Sequence, residues 1–165
     1  MNDQDVYIFE VIEGNFDSTV VLNSEKLPVF VEFIGVWSEH CFKLEAILGD
    51  FAREFAGQFI FAKVDIDEQP ELRKKYKVDN VPTLKIFKDG NEVQTEEGVL
   101  EVDEIRKVLK SYGIYRESDD LREQARSQHM AGNIVEAISL LTKAIQLDPA
   151  NTRVAMDMVD RKSVV

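Results

Sequence analysis

The stretch that decides the fold is Phe33-Ile34-Gly35-Val36-Trp37-Ser38-Glu39-His40-Cys41. Its first residues end a nearly continuous apolar run over residues 28–34, whose length and β-branched content predict a strand buried on both faces. Beyond Gly35, apolar residues recur every three or four positions from Cys41 to Phe55, which indicates an amphipathic helix. The stretch therefore predicts a buried strand that passes through a short loop into a helix.

The same alternation of strand and helix patterns extends to both sides of this stretch. An Asp-Gly pair within residues 88–91 is typical of a hairpin, so the last two strands should be antiparallel. The order β-α-β-α-β-α-β-β-α predicts an α/β fold, a mixed central sheet flanked by helices. The remaining strands are predicted at residues 6–9, 59–65, 81–87 and 92–95, and the remaining helices at residues 16–21, 69–76 and 102–112.

After residue 113 the pattern becomes wholly helical. Two amphipathic helices are predicted at residues 121–130 and 134–147, and together they form an α-hairpin. A third helical stretch begins near Thr152. The sequence thus predicts two domains, residues 1–113 and residues 114–165.

The third helical stretch carries four apolar residues that resemble helix-core positions. They either pack on the preceding hairpin or leave an exposed patch that promotes self-association. These residues are Val154, Met156, Met158 and Val159.

Composition excludes several classes of protein. The formal net charge of the 165 residues is −11, which argues against a nucleic-acid partner because neutralising phosphates needs a basic face. A single cysteine argues against a disulfide scaffold and fits a reducing compartment. No run approaches the roughly 18–20 apolar residues of a membrane span, and residues 1–5 lack the features of a signal peptide. We therefore expect a cytoplasmic protein without a membrane partner.

Residues 33–43 resemble the active-site segment of thioredoxins, whose core reads Trp-Cys-Gly-Pro-Cys-Lys. Val81-Pro82-Thr83 resembles the cis-proline loop of that family, and residues 87–90 resemble its hairpin. The resemblance spans about residues 6–113 and implies the thioredoxin fold, with a cis peptide bond before Pro82.

The resemblance also implies a buried ionic pair. Glu32 falls where thioredoxins keep a buried Asp, and Lys63 falls where they keep a neighbouring Lys. If both side chains are buried they should pair, because an unpaired buried charge is costly. We expect this pair to be structural.

The chain departs from thioredoxins at the reactive position. Ser38 replaces the first cysteine, and Glu39-His40 replaces the Gly-Pro between the two cysteines, so the motif is Ser-x-x-Cys. A thiol at a helix N-terminus becomes a nucleophilic thiolate near neutral pH, whereas a serine hydroxyl stays protonated. Ser38 is expected to cap the helix. With Cys41 as the only cysteine, this sequence cannot complete a dithiol–disulfide cycle alone.

Two interpretations of Cys41 remain open. It is either a small buried apolar residue or a thiol that forms a mixed disulfide with a client protein. Such a bond would persist until an external reductant, for example a thioredoxin, released it, and it would protect a client thiol from over-oxidation.

His40 either tunes this site from its surface or is a solvated loop residue. Cys41 and His40 provide too few ligands for zinc, which needs about four. We expect no metal and no cofactor.

A client groove is predicted beside the motif. Trp37 with Val81 and Pro82 would form an apolar rim, and Glu39 and His40 would lie next to it. In thioredoxins the residue before the cis-proline pairs its backbone with the client, a form of β-augmentation. The resemblance implies the same role for Val81.

The tail resembles a tetratricopeptide repeat, and arrays of such repeats present concave faces to peptides or partner proteins. A thioredoxin-like domain with Ser-x-His-Cys and such a tail resembles the bacterial chaperedoxins, YbbN or CnoX. That family holds unfolding clients, shields their cysteines and passes them to the GroEL chaperonin. Its tails are longer, which suggests an incomplete, truncated array here. The signature positions are Leu121, Ala125, Ala137, Leu141, Ala144 and Pro149.

Three functions follow as hypotheses. The first is a chaperone or co-chaperone that binds unfolded or oxidised clients, with Cys41 as an optional tether and without dithiol oxidoreductase activity. The second is a monothiol redox protein that uses an external thiol such as glutathione. The third is a redox-silent protein-interaction adaptor.

Overall fold

The computed structural model describes residues 7–163. The chain divides into two compact units between Ile114 and Tyr115, and Ile114 packs into the core of the first unit. Val6, the predicted start of the first strand, and residues 1–5 lie outside the described residues.

The first unit is built around one mixed sheet. Its strands lie side by side in the order first, third, second, fourth and fifth; the first three in this order are parallel, and the last two pairings are antiparallel. The predicted mixed sheet is therefore confirmed. Within the described residues the strands are β1 (Ile8–Glu10), β2 (Val29–Ile34), β3 (Ile60–Asp65), β4 (Thr83–Lys88) and β5 (Asn91–Glu97).

Helices cover both faces of this sheet, as the sequence predicts. They are α1 (Glu39–Glu54), α2 (Pro70–Lys75) and α3 (Val102–Ser111). α1 and α3 enclose a core with Phe30 of β2, whereas α2 and the segment before β2 enclose a second core with Val31. Because side chains alternate along a strand, Glu32 points to the face that α1 covers.

The segment between β1 and β2 differs from the predicted α-helix over residues 16–21. It winds as a π-helical turn, Asp17–Leu22, between two 3₁₀ turns. Three consecutive β-branched residues, Thr19-Val20-Val21, lower the α-helical propensity of this segment. Its buried Val20 still packs into the sheet core.

The second unit contains three successive helices, α4 (Glu117–Met130), α5 (Ile134–Leu147) and α6 (Thr152–Ser163). α4 begins four residues before the predicted residue 121, because acidic side chains in the first turn favour a helix N-terminus. The predicted hairpin of α4 and α5 is confirmed.

The four apolar residues of α6 divide between packing on the hairpin and exposure to solvent. Val154 and Met158 are buried in the cluster of the second unit, whereas Met156 and Val159 are exposed. The helix therefore covers the hairpin with one side and leaves an apolar pair in solvent with the other.

A polar network also holds the second unit together. Arg116 pairs with Asp148 at 2.9 Å, and the buried amide of Asn151 donates to Asp119 Oδ1 at 2.7 Å and to Ser118 Oγ at 2.9 Å. These bonds connect the start of α4 with the turn between α5 and α6.

Across residues 7–163, none of the helices combines the length and apolar character that crossing a lipid bilayer requires.

Candidate functional site

The sheet brings the two halves of the predicted site to one of its ends. Phe33 of β2 lies opposite Thr83 of β4 in antiparallel register. The residues that follow β2 and those that precede β4 therefore emerge at the same end of the sheet. The first group contains the motif, residues 37–41, and the second contains Val81-Pro82.

Ser38 occupies the N-cap position of α1 with an extended backbone. Ser38 therefore lies at the predicted N-cap position, but its hydroxyl makes no hydrogen bond to the first turn. The N–H that such a cap would satisfy belongs to Cys41, and it donates instead to the Ser38 carbonyl oxygen at 3.2 Å. A backbone bond of the 3₁₀ type therefore closes the start of the helix.

The thiol of Cys41 is buried, with 1% of the residue exposed. Its Sγ accepts a hydrogen bond from the N–H of Gly35 at 3.4 Å. A client disulfide cannot reach this sulfur in the observed conformation. The start of α1 and the Gly35 loop enclose the sulfur. Of the two interpretations of Cys41, the structure therefore favours the small buried residue over a thiol that a client reaches directly.

Trp37 is the exposed aromatic of the site, with 68% of its surface accessible. Its indole Nε1 donates to Asp67 Oδ2 at 3.1 Å. The indole also lies against Gly35, where an added Cβ would come within 2.7 Å of the ring. No pattern in the sequence predicts the contact with Asp67, which lies thirty residues away, and the position of Gly35 after an apolar run predicts only the end of a strand.

Replacing Gly35 with alanine is expected to displace the indole of Trp37. The glycine is required for the space under the ring rather than for a left-handed backbone, since its φ is not positive. Because an exposed side chain can yield, we expect a loss of unfolding free energy of no more than about 1 kcal/mol. The fluorescence spectrum of the single tryptophan should shift, and Gly14→Ala, whose new Cβ meets no atom closer than 3.9 Å, should leave it unchanged. An unaltered spectrum in Gly35→Ala would contradict the packing described.

The Val81–Pro82 peptide bond is cis, as the resemblance implies. Pro82 is buried rather than part of the exposed rim, because it leads into β4 and its carbonyl oxygen accepts a hydrogen bond from Gly98 N–H at 2.9 Å. Val81 is half-buried, and within residues 7–163 its backbone N–H and carbonyl form no hydrogen bond. An extended chain could pair with these groups.

Glu39 and His40 lie exposed on the first turn of α1. Among the described residues, no hydrogen bond or ion pair involves the imidazole of His40. His40 is therefore a solvated residue, and the hydrogen bond to the Cys41 sulfur comes from Gly35 instead.

The predicted pair of Glu32 and Lys63 needs a correction. The two residues lie opposite each other on β2 and β3, but the Lys63 ammonium bonds Glu45 Oε1 of α1 at 2.9 Å. Glu45 and Lys63 are partly solvated, so their pairing avoids the full desolvation cost of a buried ion pair. Glu45 lies four residues after Cys41 on the same face of α1, a spacing that could have indicated it.

Glu32 is left fully buried, and neither of its carboxyl oxygens has a hydrogen-bond partner among the described residues. Burial and, to a lesser degree, the negative charge of Glu45 raise the pKa of Glu32 to about 9, although the positive charge of Lys63 partly offsets them. The carboxyl group is therefore neutral at pH 7.

In the described part of the chain, no three His, Cys, Asp or Glu side chains are grouped as metal ligands. The arrangement thus brings an exposed indole and the half-buried Val81 to the same end of a thioredoxin-type sheet as a shielded thiol.

A family model described as "Thioredoxin" matches residues 7–111. Thioredoxin 2 of Chlorobaculum tepidum is 32% identical over 104 residues, which cover 63% of this chain and 94% of that protein. Thioredoxin of Pseudomonas aeruginosa is 33% identical over 94 residues, which cover 57% and 85%. Thioredoxin M4 of Arabidopsis thaliana is 34% identical over 94 residues, which cover 57% of this chain and 48% of that protein.

The fold and the site thus define a thioredoxin-fold protein with a Ser-x-x-Cys motif. The chain belongs to the thioredoxin family, and its first unit is redox-related at that general level.

Proposed function

We propose that this protein is a chaperone-type binding protein that holds extended, partly unfolded segments of client proteins without dithiol turnover. The observation that carries the proposal is the backbone of Val81, which is unpaired within residues 7–163 and lies at the same end of the sheet as the exposed indole of Trp37. Backbone pairing gives affinity that depends little on sequence, and an aromatic surface adds apolar contact. Unfolded clients expose the free backbone groups and the apolar side chains that these two contacts need.

The motif favours holding over redox turnover. Ser38 has no thiol with which to attack a disulfide, and the sulfur of Cys41 is covered. A mixed disulfide with a client would require the start of α1 to open, and resolving it would require an outside thiol such as a thioredoxin. We therefore assign Cys41 at most a secondary, conditional role.

The second unit supports the same proposal through its helices. Five of the six positions that resemble a tetratricopeptide signature, all except the exposed Pro149, are buried together in one cluster, as helix pairs of repeat proteins bury theirs. We propose that α4 to α6 form a repeat-type surface for a partner protein. By the resemblance to chaperedoxins, a chaperonin of the GroEL type is the candidate partner.

Two rival functions remain as alternatives. A monothiol redox protein would need Cys41 reachable by glutathione, which its burial opposes. A redox-silent adaptor would share the groove but recognise one folded partner rather than many unfolded ones.

The test is suppression of client aggregation. A cysteine-free client that unfolds on heating should scatter less light in the presence of a stoichiometric amount of this protein. Trp37→Ala should weaken the suppression by about tenfold in the required concentration, because a buried aromatic contact contributes about 1.4 kcal/mol or more. Cys41→Ala should suppress aggregation as well as the parent does.

The matched control is Val93→Ala, which removes another exposed apolar residue, from β5 at the opposite end of the sheet. It should behave as the parent does. Unchanged aggregation with the parent protein would reject the chaperone proposal and leave the adaptor. Reduction of insulin by glutathione at a thioredoxin-like rate would favour the monothiol enzyme.

A further inference from the structure

A second surface lies at the carboxyl ends of the parallel strands, separate from Val81 and Pro82. There the structure contains a cavity of about 340 Å³. Val11 and Ile12 after β1, Ile34 at the end of β2 and Asp65 at the end of β3 line one part of it. In open α/β sheets this end of the strands is where ligands commonly bind.

The cavity is bordered by large apolar side chains that the fold does not bury. Ile12 is 52% exposed, Val36 is 60% exposed and Phe42 is 50% exposed, and each belongs to a different segment of the chain. None of the three belongs to a core cluster. Exposed apolar residues that converge from separate segments on one concavity are typical of an interaction site rather than of scattered surface residues.

Charge around the cavity is one-sided. Four of its lining residues are acidic, Glu10, Glu45, Asp65 and Glu68, and one is basic, Lys63. Because Lys63 and Glu45 pair with each other at 2.9 Å, the other three carboxylates give the rim its net negative charge. A complementary occupant is apolar at its centre and positively charged at its flanks.

We propose that this cavity binds an extended segment of a partner protein in which one large apolar side chain is flanked by lysine or arginine residues. The apolar side chain enters between Ile12, Val36 and Phe42, and the flanking cations lie along Glu10 and Glu68. This surface gives the protein a contact that selects basic sequences, in addition to the less selective groove of Trp37 and Val81.

The probe is a fluorescein-labelled heptapeptide with one central leucine between paired lysines, and binding is measured by fluorescence anisotropy. Phe42→Ser should weaken binding by about tenfold because the apolar contact is lost. Glu68→Lys should weaken it severalfold, and raising the ionic strength from about 0.01 to 1 M should do the same, since the Debye length falls from about 30 to 3 Å. NMR shift changes of the backbone should centre on residues 10–12, 36, 42 and 65–69.

Two variants at the other end of the sheet serve as controls. Val93→Ser removes an exposed apolar residue and Glu25→Lys reverses an exposed charge near the β4–β5 hairpin, and both should bind the peptide as the parent does. Equal binding of a peptide with serine for leucine, or with glutamates for lysines, would overturn the proposal. So would an absence of binding, or binding that Trp37→Ala abolishes and Phe42→Ser leaves intact, which would assign the peptide to the groove.

Discussion

Glu32→Gln is expected to abolish a steep loss of stability that the parent protein suffers as the pH rises from about 5 to 9. Both carboxyl oxygens of Glu32 are buried without a partner among the described residues, and burial, followed by the charge of Glu45, raises the pKa of this group to about 9. The folded protein thus keeps its proton on Glu32 at a pH at which the unfolded chain has lost it.

The sign of the effect follows from proton linkage. Between the ordinary carboxyl pKa of about 4.5 and the folded value of about 9, the folded state binds one more proton than the unfolded state. Stability therefore falls by up to about 1.4 kcal/mol for each pH unit in that interval. The stability that the neutral Glu32 contributes is fully present below the pKa of the unfolded chain. Above about pH 9 this group causes no further loss of stability.

Denaturant unfolding at pH 5, 7 and 8.5 measures the difference. The two proteins should be nearly equal at pH 5, because a neutral carboxyl and an amide then occupy the same unpartnered position. At pH 8.5 Glu32→Gln should be more stable by several kcal/mol. Glu25→Gln, which changes an exposed carboxyl, should keep the slope of the parent, and parallel pH profiles for the parent and Glu32→Gln would contradict a buried neutral Glu32.

The arrangement of strands and helices was predictable because burial imposes a period on the sequence. β2 and β3 are apolar over most of their length since both faces of the sheet are covered, and α1 shows its core face every three or four residues. The π-helical turn before β2 was not predictable, because its apolar positions suit any short helix and only the local β-branched run disfavours an α-helix.

The chemistry of the site was predictable in kind but not in contacts. The sequence determines that position 38 has a hydroxyl and position 41 a thiol, but their surroundings depend on residues that are distant in sequence. The Lys63 ammonium prefers a partly solvated Glu45 to the fully buried Glu32, and this preference follows from desolvation rather than from the strand register. The cavity beside β1 likewise forms from separate segments, and apart from the stretch around the Ser-x-x-Cys motif none of them carries a motif.

Ser38→Cys is expected to create a dithiol reductase from this protein. Position 38 is the N-cap of α1, where the positive end of the helix dipole stabilises a thiolate. The new thiolate would attack a disulfide of insulin, form a mixed disulfide and release one insulin thiolate. Cys41 would then attack the mixed disulfide, release the second insulin thiolate and leave an internal disulfide, which dithiothreitol reduces. Burial of Cys41 is compatible with this second step, because its target would be the sulfur attached three residues away.

Insulin turbidity in the presence of dithiothreitol should develop at least about tenfold faster with Ser38→Cys than with the parent, which corresponds to about 1.4 kcal/mol in activation free energy. The double variant Ser38→Cys with Cys41→Ala retains the attacking thiol and lacks the resolving one, so it should accumulate mixed disulfides without turnover. If Ser38→Cys forms the internal disulfide but shows no reductase activity, then access to position 38 is blocked by the surrounding groove. If the two thiols fail to form a disulfide under oxidising conditions, the geometry inferred for the start of α1 is wrong. Activity in Ser38→Cys alone would mean that a single hydroxyl-for-thiol exchange at the helix N-terminus separates a holding site from a catalytic one.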